Sequence, residues 1–431
     1  MSFRSFLDDL QKADLLKEVH EPVSPILEVA SRAWGKGPIL FHNADGHKCS
    51  LNVLGTRELL ARALGTHARN LVHHLADKNY NGTVKEVDSS YFHEVASRPD
   101  LTHLPILTHF AGDGGPYITS AVVVSQYEGH LNACVHRLMV LGKDRLAARL
   151  VPGRHTHQLY EKAIANGDKL PVAIAIGVDP VIIFAAGTRV PSDLEFQYAS
   201  ALRGKPVELF RLENGVPVPH AEIVLEGYIT GERTSEGPFV DITGTHDLVR
   251  QEPVIQLTKM FAREDFIYQG LLPAGGEHKM LMGVPYEPLI FKEVSKVARV
   301  RDVILTEGGC TYFHAVVQIE KETEADARRA IEAAFKAHKS LKHVVIVDSD
   351  IDIYDPNDIE YAIATRMRGD EDVVMYTKVR GSTLDPRSID GMTTKVGVDA
   401  TIRLDKPRKF RRVVPKGTGR SPPKARSTRA S

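Results

Sequence analysis

From residue 118 to about 292 the chain is a succession of short β-rich runs: ITSAVVVSQ, NACVHRLMVL, PVAIAIG, PVELFRL, AEIVLEGYI and VIQLTKMF. Gly, Pro and Asn punctuate them, with one helical insert around residues 159–166. Short strands separated by turn residues confine this stretch to a barrel or a sandwich. Beyond about 295 the texture becomes alternating strand and helix. VRDVILTEG and YFHAVVQIE read as strands, and Thr323 reads as the N-cap of a helix through EADARRAIEAAFKAHKS. LKHVVIVDSD is almost wholly apolar, as in a strand covered on both faces. Asp355-Pro356 opens another helix with Pro at its first position.

Ahead of the β-rich stretch, Phe3, Phe6, Leu7 and Leu10 recur at helical spacing, and a second helix is expected around 57–64. Residues 80–118 are irregular and end in the glycine-rich AGDGGPYIT. At roughly 100–200 residues per domain, 431 residues allow two to three packed units. The expected architecture is α/β (α+β): an N-terminal α/β unit over 1–105, a central β-barrel over 106–295 and a C-terminal α/β unit over 296–405. Residues 406–431 hold ten Lys or Arg and no acid, and are expected to form a disordered basic tail.

The whole chain is neutral, with 55 basic and 55 acidic groups, but residues 1–405 carry 45 basic against 55 acidic. An acidic body speaks against nucleic-acid binding, because phosphate neutralisation needs a basic excess. The tail is the one place where such binding is conceivable, and deleting it is the test. Cys49, Cys134 and Cys310 are far apart, which suits a reducing compartment and neither a disulfide framework nor a zinc ribbon. Charges among the first ten residues break any signal-peptide core, and no apolar run of about 18 residues occurs. A cytoplasmic protein with no membrane span is expected.

Two residue sets carry chemistry. In Ser235-Glu236-Gly237-Pro238-Phe239-Val240-Asp241, a Gly-Pro turn separates two carboxylates. Facing one cavity, they would split their pKa values and leave one acid protonated as a general acid; as an ordinary hairpin turn, they would be solvated. The second set is Asn132, Arg137, His155 and Glu195. Amide oxygen, imidazole and carboxylate suit a divalent ion bridging to a phosphate, although a buried histidine is more often simply packed. His155-Thr156-His157 has no further Cys or His pair to complete a zinc site. The run from Asp348 to Ile353 imitates an EF-hand start, but Ile353 and Ile359 stand where Gly and Glu are required. These acids are expected at a strand end, capping the helix after Asp355. There is no P-loop, GxGxxG or GxSxG.

In this order and spacing, several segments resemble the UbiD-type decarboxylases, which use prenylated FMN. They are FRSFLDDL, LPILTHFAGDGGPYIT, NACVHR, AEIVLEG with EGPFVD, VIVDSDIDIYD and TTKVGVDAT. The resemblance runs from about Phe3 to Ala400. It implies that the central domain is a split β-barrel of flavin-reductase type and that the C-terminal unit mediates a homo-oligomer, dimer or hexamer. It implies that Asn132, His155 and Glu195 hold Mn²⁺ (or Mg²⁺) against the cofactor phosphate, with K⁺ nearby, and that Lys395 adds a cation to that phosphate. Ala133, Cys134, Val135, His136, Ala186, Gly187 and Thr188 would line the cofactor, with Arg189 beside them. Arg137, Glu236 and Asp241 would form the catalytic network, Arg137 pairing with the substrate carboxylate and Asp241 giving the proton. Asp stands at 241 where some relatives have Glu, and His136 replaces a residue often Tyr or Ala.

The compact chain resembles archaeal members, which implies trans-anhydromevalonate 5-phosphate as the substrate and isopentenyl phosphate plus CO₂ as products. An aromatic acid such as 4-hydroxy-3-polyprenylbenzoate, or another phenolic acid, is the alternative. A flavin-binding assembly protein without turnover is the alternative of another class. A separate UbiX-like prenyltransferase would supply the cofactor. His278 and Lys279 are candidate phosphate cations, but the expectation is a solvated loop there.

Overall fold

The computed structural model of the protein describes residues 2–410 and 412–413. The chain divides into two compact units, the first ending at Pro285 and the second starting at Tyr286. Helix α1 (Phe3–Lys12) begins with a reciprocal cap in which the Ser2 hydroxyl accepts from the Ser5 N–H and the Ser5 hydroxyl accepts from the Ser2 N–H. Its apolar face, Phe3, Phe6, Leu7 and Leu10, enters the same core as Val122, Val124, Ile183 and Phe184. The N-terminal segment is therefore part of the wall behind the central sheet.

That sheet has nine strands. Its members are β1 (Tyr117–Ile118), β2 (Ala121–Tyr127), β3 (His130–Val135), β4 (Leu138–Val140), β5 (Arg145–Ala148), β6 (Leu170–Ile176) and β7 (Ile223–Glu236). A two-stranded hairpin of β8 (Phe239–Val240) and β9 (His246–Asp247) follows, then the long β10 (Arg250–Ala262). The order is β1-β4-β5-β10-β7-β6-β2-β3, antiparallel throughout, with Val95–Ser97 added beside β10. This is an open ladder, and the split barrel goes beyond it. A four-stranded sheet of Lys17–Val19, Ile39–Ala44, His47–Leu51 and Ile267–Gln269 completes the strands that frame the first unit's second core.

The expectation of one helical insert is corrected. Besides α2 (His155–Ala165), the stretch to residue 285 holds α3 (Pro180–Gly187), α4 (Glu195–Arg203) and α5 (Gly276–Gly283). Helix α3 reads PVIIFAAG and is buried at seven of its eight positions, so it has no polar face to reveal a 3.6-residue period. What marks it is Asp179, whose carboxylate caps the Val181 N–H ahead of Pro180. His278 and Lys279 lie on α5 and not in a loop.

The second unit is a five-stranded sheet of β11 (Arg299–Leu305), β12 (His314–Glu320), β13 (His343–Asp348), β14 (Val373–Arg380) and β15 (Met392–Ala400), in the order β11-β12-β13-β15-β14. Strand β13 is parallel to both neighbours and buried over its four central residues, Val344 to Val347, as their composition demands. The helix after β12 starts at Asp326, with Ala325 and not Thr323 at its N-cap position. The Asp326 carboxylate collects the Glu322 and Thr323 N–H groups, a stronger acceptor than the Thr323 hydroxyl. Asp355 caps the helix Pro356–Arg366 as expected. Asp348 and Asp350 instead hold Arg366, at 2.9 and 2.6 Å. Of the expected basic tail, Pro407–Phe410 form one short turn, and apart from 412–413 the remainder lies outside the described residues.

Candidate active site

Arg137 follows β3, the edge strand of the sheet, while Glu236 is the last residue of β7. At Gly237 the backbone turns with φ +104°, a conformation open to glycine, and Pro238 leads into β8. The loop from Ala111 to Gly115 packs against this turn: Gly114 N–H donates to Pro238 O at 2.8 Å, and a Cβ on Gly114 would stand 2.3 Å from Gly237 O. Asp241 and Asp247 are brought to the same side by the β8–β9 hairpin, closed by Gly244 N–H on Asp241 O and Asp241 N–H on Thr245 O.

Three carboxylates converge on one guanidinium. Arg137 Nε and Nη2 donate to the two oxygens of Glu236, both at 2.9 Å. Nη1 donates to Asp241 Oδ2 at 3.3 Å, and Nη2 also donates to Asp247 Oδ2 at 3.0 Å. Phe239 lies under the guanidinium, 4.8 Å away, and Tyr117 OH donates to Glu236 Oε1 at 3.1 Å. Side-chain exposure rises from 0% at Glu236 through 9% at Arg137 and 11% at Asp247 to 18% at Asp241. Burial works against the charge on Arg137, but the carboxylates, Glu236 foremost, outweigh it and hold its pKa above the ordinary value. Burial, then the Glu236 charge, pushes the Tyr117 phenol up, so it stays a donor. Asp247 is held below the usual carboxylate range, its burial more than offset by Arg250 and Arg137. His278 on α5 interacts with both Asp241 and Arg137; burial lowers its pKa, and its Nδ1 accepts from the Ala274 N–H at 3.1 Å.

A second cluster forms where β3, α2 and α4 meet. His155 is the first residue of α2 and Glu195 the first of α4. His155 Nδ1 stands 3.9 Å from Glu195 Oε1, and the Glu195 carboxylate also accepts from the Ala133 backbone. Asn132 Nδ2 donates to Thr156 Oγ1 at 2.8 Å, beside His155. Glu195 Oε2 is buried with no hydrogen-bond partner, and burial pushes the carboxyl up to about 8. An uncompensated carboxylate beside an imidazole and an amide is the environment that a bound cation would satisfy. On the same strand, Cys134 Sγ lies 2.9 Å from His136 Nε2, and His136 is further engaged by Thr156 Oγ1 and Arg149 O. Burial raises the Cys134 thiol, but His136 and the surrounding hydrogen bonds outweigh it and draw its pKa below the usual thiol value.

Ala186 and Gly187 end α3, and Thr188 caps it through a 2.8 Å bond from its hydroxyl to Phe184 O. Lys395 belongs to the second unit, where Nζ donates to Lys339 O at 2.6 Å and lies 5.3 Å over the Phe335 ring; burial lowers its pKa to about 8. Another metal-capable group among the described residues, Glu18, His20 and His42, is on the surface. Its imidazoles stack at 15°, so their ring-plane lone pairs run nearly parallel and do not converge on one ion.

The chain as a whole has counterparts among known proteins. The N-terminal, Rift-related and C-terminal domains of 3-octaprenyl-4-hydroxybenzoate carboxy-lyase match residues 7–78, 83–276 and 279–400. The chain belongs to the UbiD family of decarboxylases. It is similar to the anhydromevalonate phosphate decarboxylase of Methanosarcina mazei, 57% identical over 96% of this chain and 99% of that one. The Archaeoglobus fulgidus protein of the same name is 44% identical over 94% of each chain. Among solved structures, the UbiD-class enzyme HmfF from Pelotomaculum thermopropionicum in complex with FMN superposes with a TM-score of 0.94, at 37% identity and over 97% of this chain and 98% of that one.

Within this UbiD-family site, sequence reasoning missed Tyr117, Asp247 and the approach of His278. Asp247 had a readable signal, because Asp241-Ile242-Thr243-Gly244 is a turn sequence that returns the chain six residues later to the same side. Tyr117 had none, since only the ladder places β1 near the end of β7.

Proposed function

We infer that this protein decarboxylates trans-anhydromevalonate 5-phosphate to isopentenyl phosphate and CO₂, with prenylated FMN as cofactor. The observation that carries this is the buried Arg137 held by Glu236 and Asp241, in a chain 57% identical over nearly its whole length to a decarboxylase named for that substrate. Loss of CO₂ from an sp² carbon leaves an unstabilised carbanion, and prenylated FMN, when bound, supplies the electron sink. Asn132, His155 and Glu195 would hold a divalent metal, Mn²⁺ or Mg²⁺, through their oxygen and nitrogen donors, with K⁺ adjacent. Ala133, Cys134, Val135, His136 and the 186–188 segment would line the flavin.

The remaining work falls to the chain's own groups. Arg137 orients the substrate carboxylate so that the breaking C–C bond is correctly aligned. Glu236, locked on Arg137 by both oxygens, keeps the fork in place. Asp241, the most exposed of the three acids, delivers the proton to the α-carbon after CO₂ has left. The three-domain division at 105 and 295, a cytoplasmic setting, a UbiX-like prenyltransferase as cofactor supplier and a homo-oligomer built through the second unit belong to the same proposal. Among the described residues no helix is long and apolar enough to cross a membrane.

Co-expression with a UbiX-like prenyltransferase, followed by assays on anhydromevalonate phosphate and a panel of phenolic acids, tests it. The expected result is CO₂ release from the phosphate ester, abolished by Glu236→Gln. Turnover of phenolic acids alone would move the substrate to the aromatic class. No turnover of any acid by cofactor-loaded protein would favour a flavin-binding module.

A further inference from the structure

The Arg137 fork has five N–H donors, and four are engaged: Nε by Glu236, Nη2 by Glu236 and Asp247, and Nη1 by Asp241. Glu236 fills the Nε–Nη2 edge with both oxygens of one carboxylate. The opposite Nη1–Nη2 edge receives one oxygen from Asp241 and one from Asp247, as the two oxygens of a single bound carboxylate would sit there. An incoming carboxylate therefore finds no free pair of donors on this fork. Glu236 is fully buried and doubly held, so it stays; the Nη1–Nη2 edge is the one that can be cleared.

Asp247 has somewhere to go. Its Oδ2 is shared between Arg137 Nη2 at 3.0 Å and Arg250 Nη1 at 2.5 Å, while Oδ1 accepts from the Leu248 N–H. It sits on the two-residue strand β9, and Leu248 and Val249 immediately after it are exposed. We propose that Asp247 is a placeholder carboxylate: it holds Nη2 on the edge of Arg137 that a substrate carboxylate would take, and is handed to Arg250 when the substrate arrives. Asp241, displaced from Nη1 by the same event, is freed toward the reacting carbon and His278. Asp247 is thus a positioning residue that keeps the buried fork neutralised between turnovers. Because they compete for this edge, Asp241 and Asp247 lower the apparent affinity for substrate by the fraction of time the edge is open.

The proposal rests on the reading that Arg137 receives the substrate carboxylate, and the test separates the two. Protein loaded with unmodified FMN is titrated calorimetrically with crotonate and with anhydromevalonate phosphate, for wild type, Asp247→Asn, Arg250→Gln and the double variant. Asn retains the acceptor for the Leu248 N–H while removing the competing charge, so Asp247→Asn is expected to bind both acids about tenfold more tightly. Arg250→Gln, which strands Asp247 on Arg137, is expected to bind them several-fold more weakly, and in the double variant the Arg250 effect disappears. In the prenylated-FMN enzyme the same variants should move KM in these opposite directions and kcat less. A merely structural role would make both single variants bind more weakly with lowered thermal midpoints; that result, or two unchanged affinities, overturns the proposal. Crotonate binding that responds as expected in a protein that decarboxylates nothing would uphold the placeholder and sink the proposed function. No carboxylate binding by wild type, with Arg137 intact, would sink the placeholder.

Discussion

Glu236 and Asp241 touch the same guanidinium in unequal ways. Glu236 is buried and bonded through both oxygens; Asp241 offers one oxygen at 3.3 Å and faces some solvent. Removing the charge of Glu236 leaves a buried Arg137 short of its main partner, so Glu236→Gln should lose on the order of 3 kcal/mol of stability along with activity. Asp241→Asn should keep the wild-type thermal midpoint while kcat falls by about 10²–10⁴-fold. Thermal unfolding alongside a CO₂-release assay separates the two. At the second cluster, burial without a cation lifts the Glu195 carboxyl to about 8. Below that pH an entering ion must displace a proton, so Mn²⁺ affinity should rise about tenfold per pH unit and level off near pH 8. Calorimetry in buffers of different ionisation enthalpy should register that released proton. In the cation-free protein the folded state holds a proton that the unfolded chain has already released between the ordinary carboxyl range and pH 8. Stability therefore falls as pH rises through that window, and a bound cation should abolish the slope.

At the scale of elements, the loop carrying Gly114 and the turn carrying Gly237 approach so closely that no side chain fits between them. Gly114→Ala must push the two backbones apart, at a cost of about 1–3 kcal/mol, and should lower activity further by tilting Glu236 away from Arg137. A lowered thermal midpoint together with a kcat loss would register both effects. These glycines were legible as turn punctuation, and the strands around them were legible as β-rich runs. The helix α3 was not, because its burial hides the polar face that periodicity needs and leaves it the composition of a strand; α4 and α5 run only nine and eight residues, about two turns each, too short for a period to show. The convergence of Arg137 with Glu236 and Asp241 lay beyond spacing arguments, since β3 and β7 meet the site from different parts of the ladder. Family resemblance supplied that pairing, the turn at 241–244 could have supplied Asp247, and Tyr117 needed coordinates.

For the molecule as a whole, the chemistry-bearing residues of the first unit stand on a sheet whose back is sealed by α1 through Phe3 and Phe6. Phe6→Ala should cost about 3–5 kcal/mol although Phe6 belongs to neither polar cluster, and should weaken FMN retention only in proportion to unfolding; comparing denaturation curves with bound-flavin absorbance tests this. The charge of the chain is split between an acidic body and a basic terminal stretch. Removing 406–431 should leave decarboxylation unchanged at low and high salt, because the described partners that hold the two clusters lie between Tyr117 and His278. The gradient of water access across the three acids on Arg137 also has an isotopic consequence. In heavy water, each product molecule will carry one deuterium at the former carboxyl-bearing carbon, because the acid that gives up its hydrogen must recover it from solvent before the next turnover, and the outermost acid is the one best placed to do so.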